Sequence, residues 1–379
     1  MTHIRRHSPG QLVFCFICGG CLALTLYYSD YAIEYMSAGL LLCVRTVIPS
    51  LFPFMVISGL MVSVGLGEMI GRACERPVRR LFGVSGASAC ALFMGAVCGF
   101  PIGARTVVAL LDAGHISRRE AERLMCFCNN PSSAFLISAV GVSLYANRRA
   151  GLVFYLVTLS SALILGVGAR ILFGRVDSRS VVSRPERPPV PGLDSFTGAV
   201  SDAATGMLTV CAYVVFFSAI MGCLGRLVTQ LGCPAALGAL LYGAVELSGG
   251  VSASAALGTE PLGVCLTAFI IGWSGLSVHF QIMSLCRGRG LCFRGYFVAK
   301  MCQGTLNALI IAGLYALFPR LFVPQDDSAA VVISPAVIRP IGAVVLVIFI
   351  CALALSIVRN AKRDRRARSI HKSTPHVIY

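Results

Sequence analysis

An all-α polytopic membrane protein is the fold class that three observations predict. The 379-residue chain is 56% hydrophobic and only 13% charged, with a mean hydropathy of +0.81. Several apolar runs reach the roughly 20 residues that a helix needs to cross a bilayer, and no stretch is long and polar enough for a soluble domain. The third observation is that apolar runs in both halves are broken midway by glycine, proline or asparagine. Unwound backbone at membrane depth is tolerated only where protein or a water-filled cavity satisfies it, so such breaks point to a site.

Charge and cysteine usage narrow the class. The net charge of +16 comes from 32 Lys+Arg against 16 Asp+Glu, and the basic residues cluster in short segments between apolar runs. That pattern reads as membrane topology and not as nucleic-acid binding. Nearly all of the 17 cysteines lie within apolar runs, as Cys15, Cys18 and Cys21 do, and they read as small hydrophobes. No His or carboxylate accompanies that triad, so no metal site and no cofactor is expected. No nucleophile–base–acid arrangement or phosphate loop is present either, and the chain does not read as an enzyme.

Taken in order, Arg5 and Arg6 precede the apolar run 12–28 in the manner of a signal peptide. No small-x-small cleavage site follows, so residues 1–37 are expected to hold a first helix with its amino terminus inside. The stretch 38–70 is too long for one straight span and carries Pro49 and Pro53, which predicts a re-entrant or kinked entry followed by a spanning helix. A basic loop with Arg72, Arg76, Arg79 and Arg80 is expected after it.

The stretch 91–104 reads ALFMGAVCGFPIGA and is broken by Gly95, Gly99, Pro101 and Gly103. A continuous helix through Gly99-Phe100-Pro101 is disfavoured, because proline lacks a donor and glycine weakens helices. Charge chooses between an interrupted span and a re-entrant hairpin: the following segment carries Arg118, Arg119 and Arg123, a cytoplasmic signature, and a hairpin returns the chain to the side it left. Ser117 ahead of Glu120 is a capping-box pattern that opens a helix. Residues 124–145 are split by Asn129-Asn130-Pro131-Ser132-Ser133, giving a broken crossing helix, and 152–173 returns to the cytoplasm. A first repeat over 38–173 thus ends at a basic, Pro-rich cytoplasmic linker over 174–198.

Beyond the linker the order recurs over 199–320. GAVCGFPIGA at Gly95 is echoed by GAVELSGGVSA at Gly243, and the break at Asn129 by Trp273-Ser274-Gly275-Leu276-Ser277, at offsets of about 148 and 144 residues. Similar order at similar spacing reads as an internal duplication. Traced from a cytoplasmic linker, 207–231 goes out, 235–257 forms an outer hairpin, 262–285 comes in and 297–318 goes out. A loop and final helix over 321–358 return the chain to a basic cytoplasmic tail, 359–379. Only Arg148-Arg149, Arg320 and Arg339 dissent from the positive-inside pattern. The halves then lie in opposite orientations, the inverted-repeat plan of many secondary transporters, with two re-entrant hairpins and two broken helices.

The candidate site residues are those at the breaks. Gly99, Pro101 and Gly103 form the hairpin turn, and Arg105 follows at a depth where an arginine must pair or line water, or else cap a carbonyl near the interface. Asn129, Asn130, Ser132 and Ser133 offer amides and hydroxyls beside opened backbone, and a half-helix starting after Pro131 aims its dipole at an anion. Arg105 and the Asn pair are expected to face one cavity. Ser274, Ser277, His279 and Gln281 mirror that chemistry in the second half, with a structural hydrogen bond as an equal reading for His279. Glu246 is a carboxylate deep in an apolar segment, placed to bind a proton or Na⁺ or to balance Arg105 or Lys300. Gln303 and Asn307 are weaker candidates.

The segment GFPIGARTVVALLDAGHISRREAERLMCFCNNPSSAFLISAVG resembles the sporulation integral membrane proteins of the YlbJ type, also called SpoVV. The likeness rests on the turn at Gly99–Ala104, on Glu120-Ala121-Glu122-Arg123-Leu124 and on Phe127-Cys128-Asn129-Asn130. In the second half Gly243–Gly250 and Gly272-Trp273-Ser274-Gly275-Leu276-Ser277-Val278-His279 agree with it. The resemblance covers about 38–318. The wider group is the nucleoside-recognition or "Gate" family, similar in plan to concentrative nucleoside transporters. Pro131-Ser132 departs from the Gly-rich continuation expected after the Asn pair. The resemblance implies a protein of the mother-cell-derived outer forespore membrane that moves dipicolinate, a small aromatic dianion, toward the forespore. A nucleoside or other metabolite carrier and a non-transporting scaffold for spore assembly are the alternatives. The expected partners are a small anionic substrate and the lipid bilayer, with homo-oligomerisation open and no nucleic acid.

Overall fold

The computed structural model describes residues 9–63, 66–176 and 193–324, and among these the regular structure is helical throughout. Helices α1 (Pro9–Tyr27), α2 (Ser29–Leu42) and α3 (Ile48–Ser63) lead in, followed by α4 (Leu66–Phe82). Next come α5 (Ser88–Val97), α6 (Ile102–Asp112), α7 (Arg118–Met125), a π-helical segment (Phe135–Leu144) and α8 (Arg148–Phe173). The second half comprises α9 (Leu193–Gln230), α10 (Ala235–Val245), α11 (Leu247–Ala255), α12 (Pro261–Trp273), α13 (Gly275–Leu285) and α14 (Arg294–Leu317). Arg5, Arg6, most of the linker, Arg339, the final helix and the tail lie outside the described residues.

Burial is inside-out relative to a water-soluble protein. On α14 the buried positions include Lys300, Gln303 and Asn307, while Val298, Met301 and Leu309 are exposed. Helices α8 and α9 likewise turn Leu156, Leu163, Ile164, Leu208 and Phe216 outward. A continuous outward apolar surface has hydrocarbon as its natural solvent. Helices α8, α9 and α14, together with the α12–α13 pair, are each long and apolar enough to cross a membrane. The protein is an all-α polytopic membrane protein.

Two expectations for the first half are corrected. The entry over 38–70 is not re-entrant: α2, a π-helical turn (Cys43–Val47) and α3 run on as one helix to Ser63. Pro49 has no N–H to donate to the carbonyl four residues back, and the wider π turn just before it absorbs that loss without breaking the helix. The expected basic loop is instead helix α4. Arg76, Arg79 and Arg80 are exposed on it while Val78 and Phe82 are buried, and Glu75 pairs with Arg79 at 3.5 Å. Charges spaced 3 and 4 apart share one helical face, which is how an interfacial helix is written.

Two hairpins organise the rest. In the first, α5 and α6 pack together and Gly95 lies opposite Gly103, so close that a Cβ on Gly103 would stand 3.0 Å from the Gly95 Cα. In the second, α10 and α11 meet where a Cβ on Gly250 would stand 2.1 Å from the Gly243 Cα. Around them, α9 runs beside α2 and α3, α8 packs on the π-helical segment, and α12 lies along α14 through a Gly272–Gly304 approach. Small residues at such crossings let backbones close up, as membrane helices require. One apolar core surrounds the first hairpin and another joins the π-helical segment and α8 to α11, α12 and α14.

Helix α7 opens as its sequence predicts. Ser117 accepts from the Glu120 N–H, and the Glu120 carboxylate reaches back to the Ser117 N–H, so both halves of the capping box are present. The same carboxylate accepts from the Ser85 N–H at 2.6 Å, tying α7 to the entrance of the first hairpin.

Candidate functional site

Each hairpin tip rests on the helix break of its own half. In the first half the Phe100 N–H donates to the Asn130 carbonyl at 2.8 Å. Gly99 has φ +76°, a left-handed conformation that glycine adopts without penalty, and a Cβ there would lie 2.5 Å from the Ser132 nitrogen. Gly95 and Gly103 both abut the Cys128 carbonyl, and a Cβ on Gly95 would come within 1.8 Å of that oxygen. In the second half the Trp273 indole donates to the Ala244 carbonyl at 3.2 Å, and Gly275, at φ +80°, backs onto Glu246 and Leu247.

The first break carries a buried polar network. The Asn130 amide donates to the Phe127 carbonyl at 3.0 Å, and its Oδ1 accepts from Gln303 Nε2 at 2.7 Å. Asn129 donates to the Met125 carbonyl, its own carbonyl accepts from Lys300 Nζ at 2.9 Å, and its Oδ1 has no hydrogen-bond partner. Lys300, 1% exposed, makes its second bond to Gln303 Oε1 at 2.8 Å and forms no ion pair among the described residues. From Gln303 the network reaches Thr158 and Ser161 of α8, and Ser161 donates to Asn307 Oδ1 at 2.6 Å. Taking an ammonium out of water costs several kcal/mol even after relaxation, so its place here needs a reason.

The second break is held by aromatic packing. His279 Nδ1 lies 2.8 Å from the Tyr296 hydroxyl, its ring meets Trp273 edge-on at 4.4 Å, and its buried Nε2 has no partner. Ser274 takes up a left-handed conformation at φ 75° and bonds back to the Ile271 carbonyl, and Ser277 accepts from Gln281. Ser132 caps the π-helical segment through the Phe135 N–H, and Ser133 reaches the Val97 carbonyl at 3.5 Å. Pro101 and Gly103 are buried in the hairpin turn.

Two charged residues stand elsewhere. Arg105 donates from Nη1 to the Asp202 carbonyl of α9 at 2.9 Å, and the structure does not bring its guanidinium to the Asn129–Asn130 pair. Gly103 faces the break, and two residues further the helix has turned by about 200°, which points Arg105 at α9. Glu246 caps α11, accepting from the Ser248 and Gly249 N–H groups at 3.0 and 2.7 Å. Neither Arg105 nor Lys300 is its partner among the described residues.

A relative matches this chain over most of its length: sporulation integral membrane protein YlbJ of Bacillus subtilis (strain 168) is 26% identical over 332 residues, covering 77% of this chain and 80% of the relative. The chain is thus similar to a sporulation integral membrane protein along most of both sequences. No family model matches it, and no solved structure does. The strongest polar cluster lies on α14, whose Gln303 and Asn307 were the weaker candidates in the sequence. Tyr296, Lys300, Gln303 and Asn307 recur at intervals of 4, 3 and 4, which is one face of a helix, and all four are buried. That period was the available signal. Thr158 and Ser161 gave none, since hydroxyls are common in apolar helices and bond back to their own turn.

Proposed function

We propose that this protein is a sporulation-associated integral membrane transporter that moves a small aromatic dianion, dipicolinate, out of the mother cell toward the forespore. The observation that carries the reading is the pairing of two helix breaks, each seated on a glycine-lined hairpin tip, with one buried polar network at the first of them. A scaffold has no need of opened backbone at membrane depth in both halves, whereas a carrier has two places at which its halves can part. The likeness to a sporulation integral membrane protein supports the cellular setting.

Carrying two negative charges out of a cell with a negative interior is favoured by about 4.6 kcal/mol per 100 mV, at about 2.3 per charge, so passive uniport suffices. On this reading the amino terminus, linker and carboxyl tail are cytoplasmic. The amides of Asn129, Asn130, Gln303 and Asn307 also suit the edges of a nucleobase, which makes a nucleoside carrier the second reading. Purified protein in liposomes decides between them. Dipicolinate flux that responds to an imposed membrane potential is the expected result; flux of nucleosides without flux of dipicolinate overturns it.

A further inference from the structure

We infer that Lys300 is the fixed positive charge of the substrate site, and that the transported anion is its counter-ion. The inference rests on the transporter reading above and names the residue that supplies the charge. Lys300 is the seventh residue of α14, about 9 Å along the axis from the start of the helix. Its four-carbon stem is long enough to snorkel toward that end, as lysines near helix termini do. Its Nζ turns inward instead, to the Asn129 carbonyl exposed by the first break and to Gln303 Oε1. The third N–H has no partner among the described residues.

Four carboxylates of the described residues are engaged elsewhere. Glu246 caps α11, Glu120 holds the Ser85 and Ser117 N–H groups, and Asp112 and Glu122 pair with Arg289 and Arg118. The ammonium is therefore solvated by a carbonyl and an amide but not neutralised. A carboxylate that bonds the third N–H completes it, and charge-assisted bonds of this kind are the strong ones. The Asn129 Oδ1 beside it is also without a partner, but as an acceptor it takes a donor and not the carboxylate, so the anion's contact is the Lys300 ammonium alone. Arg105, bound to α9, is not this charge.

The test uses the full-length protein, in detergent for thermal unfolding titrated with sodium dipicolinate and in liposomes for uptake. Lys300→Met removes the charge and keeps the stem, and it is expected to raise the half-saturating dipicolinate concentration roughly ten- to a hundredfold, the loss of one charged hydrogen bond. A purely structural tether between α14 and the break would lower the melting temperature and leave half-saturation unchanged, and that result overturns the inference. If Lys300→Met does not fold, the wild type answers alone: the neutral pyridine-2,6-dicarboxamide is expected not to compete, and competition equal to the dianion overturns the inference. Wild-type binding of benzene-1,3-dicarboxylate but not of dipicolinate, lost in Lys300→Met, supports the Lys300 site while removing dipicolinate as substrate. Dipicolinate transport that is unchanged in Lys300→Met removes the Lys300 site while leaving the transporter reading. Wild-type protein that no carboxylate stabilises overturns the Lys300 site.

Discussion

A methyl group on Gly95 would stand 1.8 Å from the Cys128 carbonyl, which is backbone that cannot yield. Gly95→Ala is expected to destabilise the protein by about 3 kcal/mol or to prevent docking of the hairpin. Gly168→Ala is the control: it lies in α8 with nothing within 4 Å, and is expected to be neutral or to stabilise by about 0.5–1 kcal/mol. Thermal unfolding of both in detergent checks the contrast. Glu246 belongs to the same scale. As the cap of α11 it contributes about 1 kcal/mol, so Glu246→Ala is expected to lower the melting temperature while Glu246→Gln, which keeps one acceptor, inserts and folds. Loss of membrane insertion in Glu246→Gln, followed by immunoblot of the membrane fraction, would show a deeper structural role.

Between elements, the two halves are fastened at the end of the molecule that carries the basic loops. Asp112 at the end of α6 accepts a forked pair of bonds from Arg289, at 2.7 and 2.6 Å, and these bonds hold the guanidinium above its ordinary pKa. Glu122 of α7 accepts from the Cys292 N–H at 2.9 Å beside it, and Arg123 closes α8 through the Gly174 carbonyl. The Arg289–Asp112 side chains are 32% and 48% exposed, so solvent screens the pair to about 1 kcal/mol at most. A double-mutant cycle of Asp112→Asn and Arg289→Gln is expected to return a coupling of that size that shrinks in high salt. The reversed pair, Asp112→Arg with Arg289→Asp, is expected to recover most of it. Additive single effects would show that the contact does not fasten the halves.

For the whole molecule the expectation is an inverted duplication. The hairpin–break–crossing order of α5 to α8 is repeated by α10 to α14, with each tip on its own break. With three crossings expected in the second repeat and a fourth in the final helix, the linker around Arg184 and the tail around Arg365 are expected on the same, cytoplasmic side. Cysteine-accessibility labelling at the two positions, in a background depleted of native cysteines, checks it. Labelling from opposite sides would end the inverted-repeat reading.

The helical class, both hairpins, both breaks and the α7 capping box were legible in the sequence, because each is written in local chemistry: apolar runs of bilayer length, Gly-Phe-Pro and Asn-Asn-Pro interruptions, and Ser117 three residues before Glu120. The continuous helix through Pro49 was not, since a π turn accommodates a proline by a small local rewinding that leaves no composition signal. The partners of the polar residues were decided by tertiary structure alone. Arg105 lies two residues from Gly103, yet helical rotation sends one to α9 and the other to the break. Lys300 reaches the Asn129 carbonyl 171 positions away, on a different helix. Hydrogen bonds between helices depend on rotation and crossing geometry, which are set by the packing of small residues across the whole bundle and are not encoded at either end of the bond.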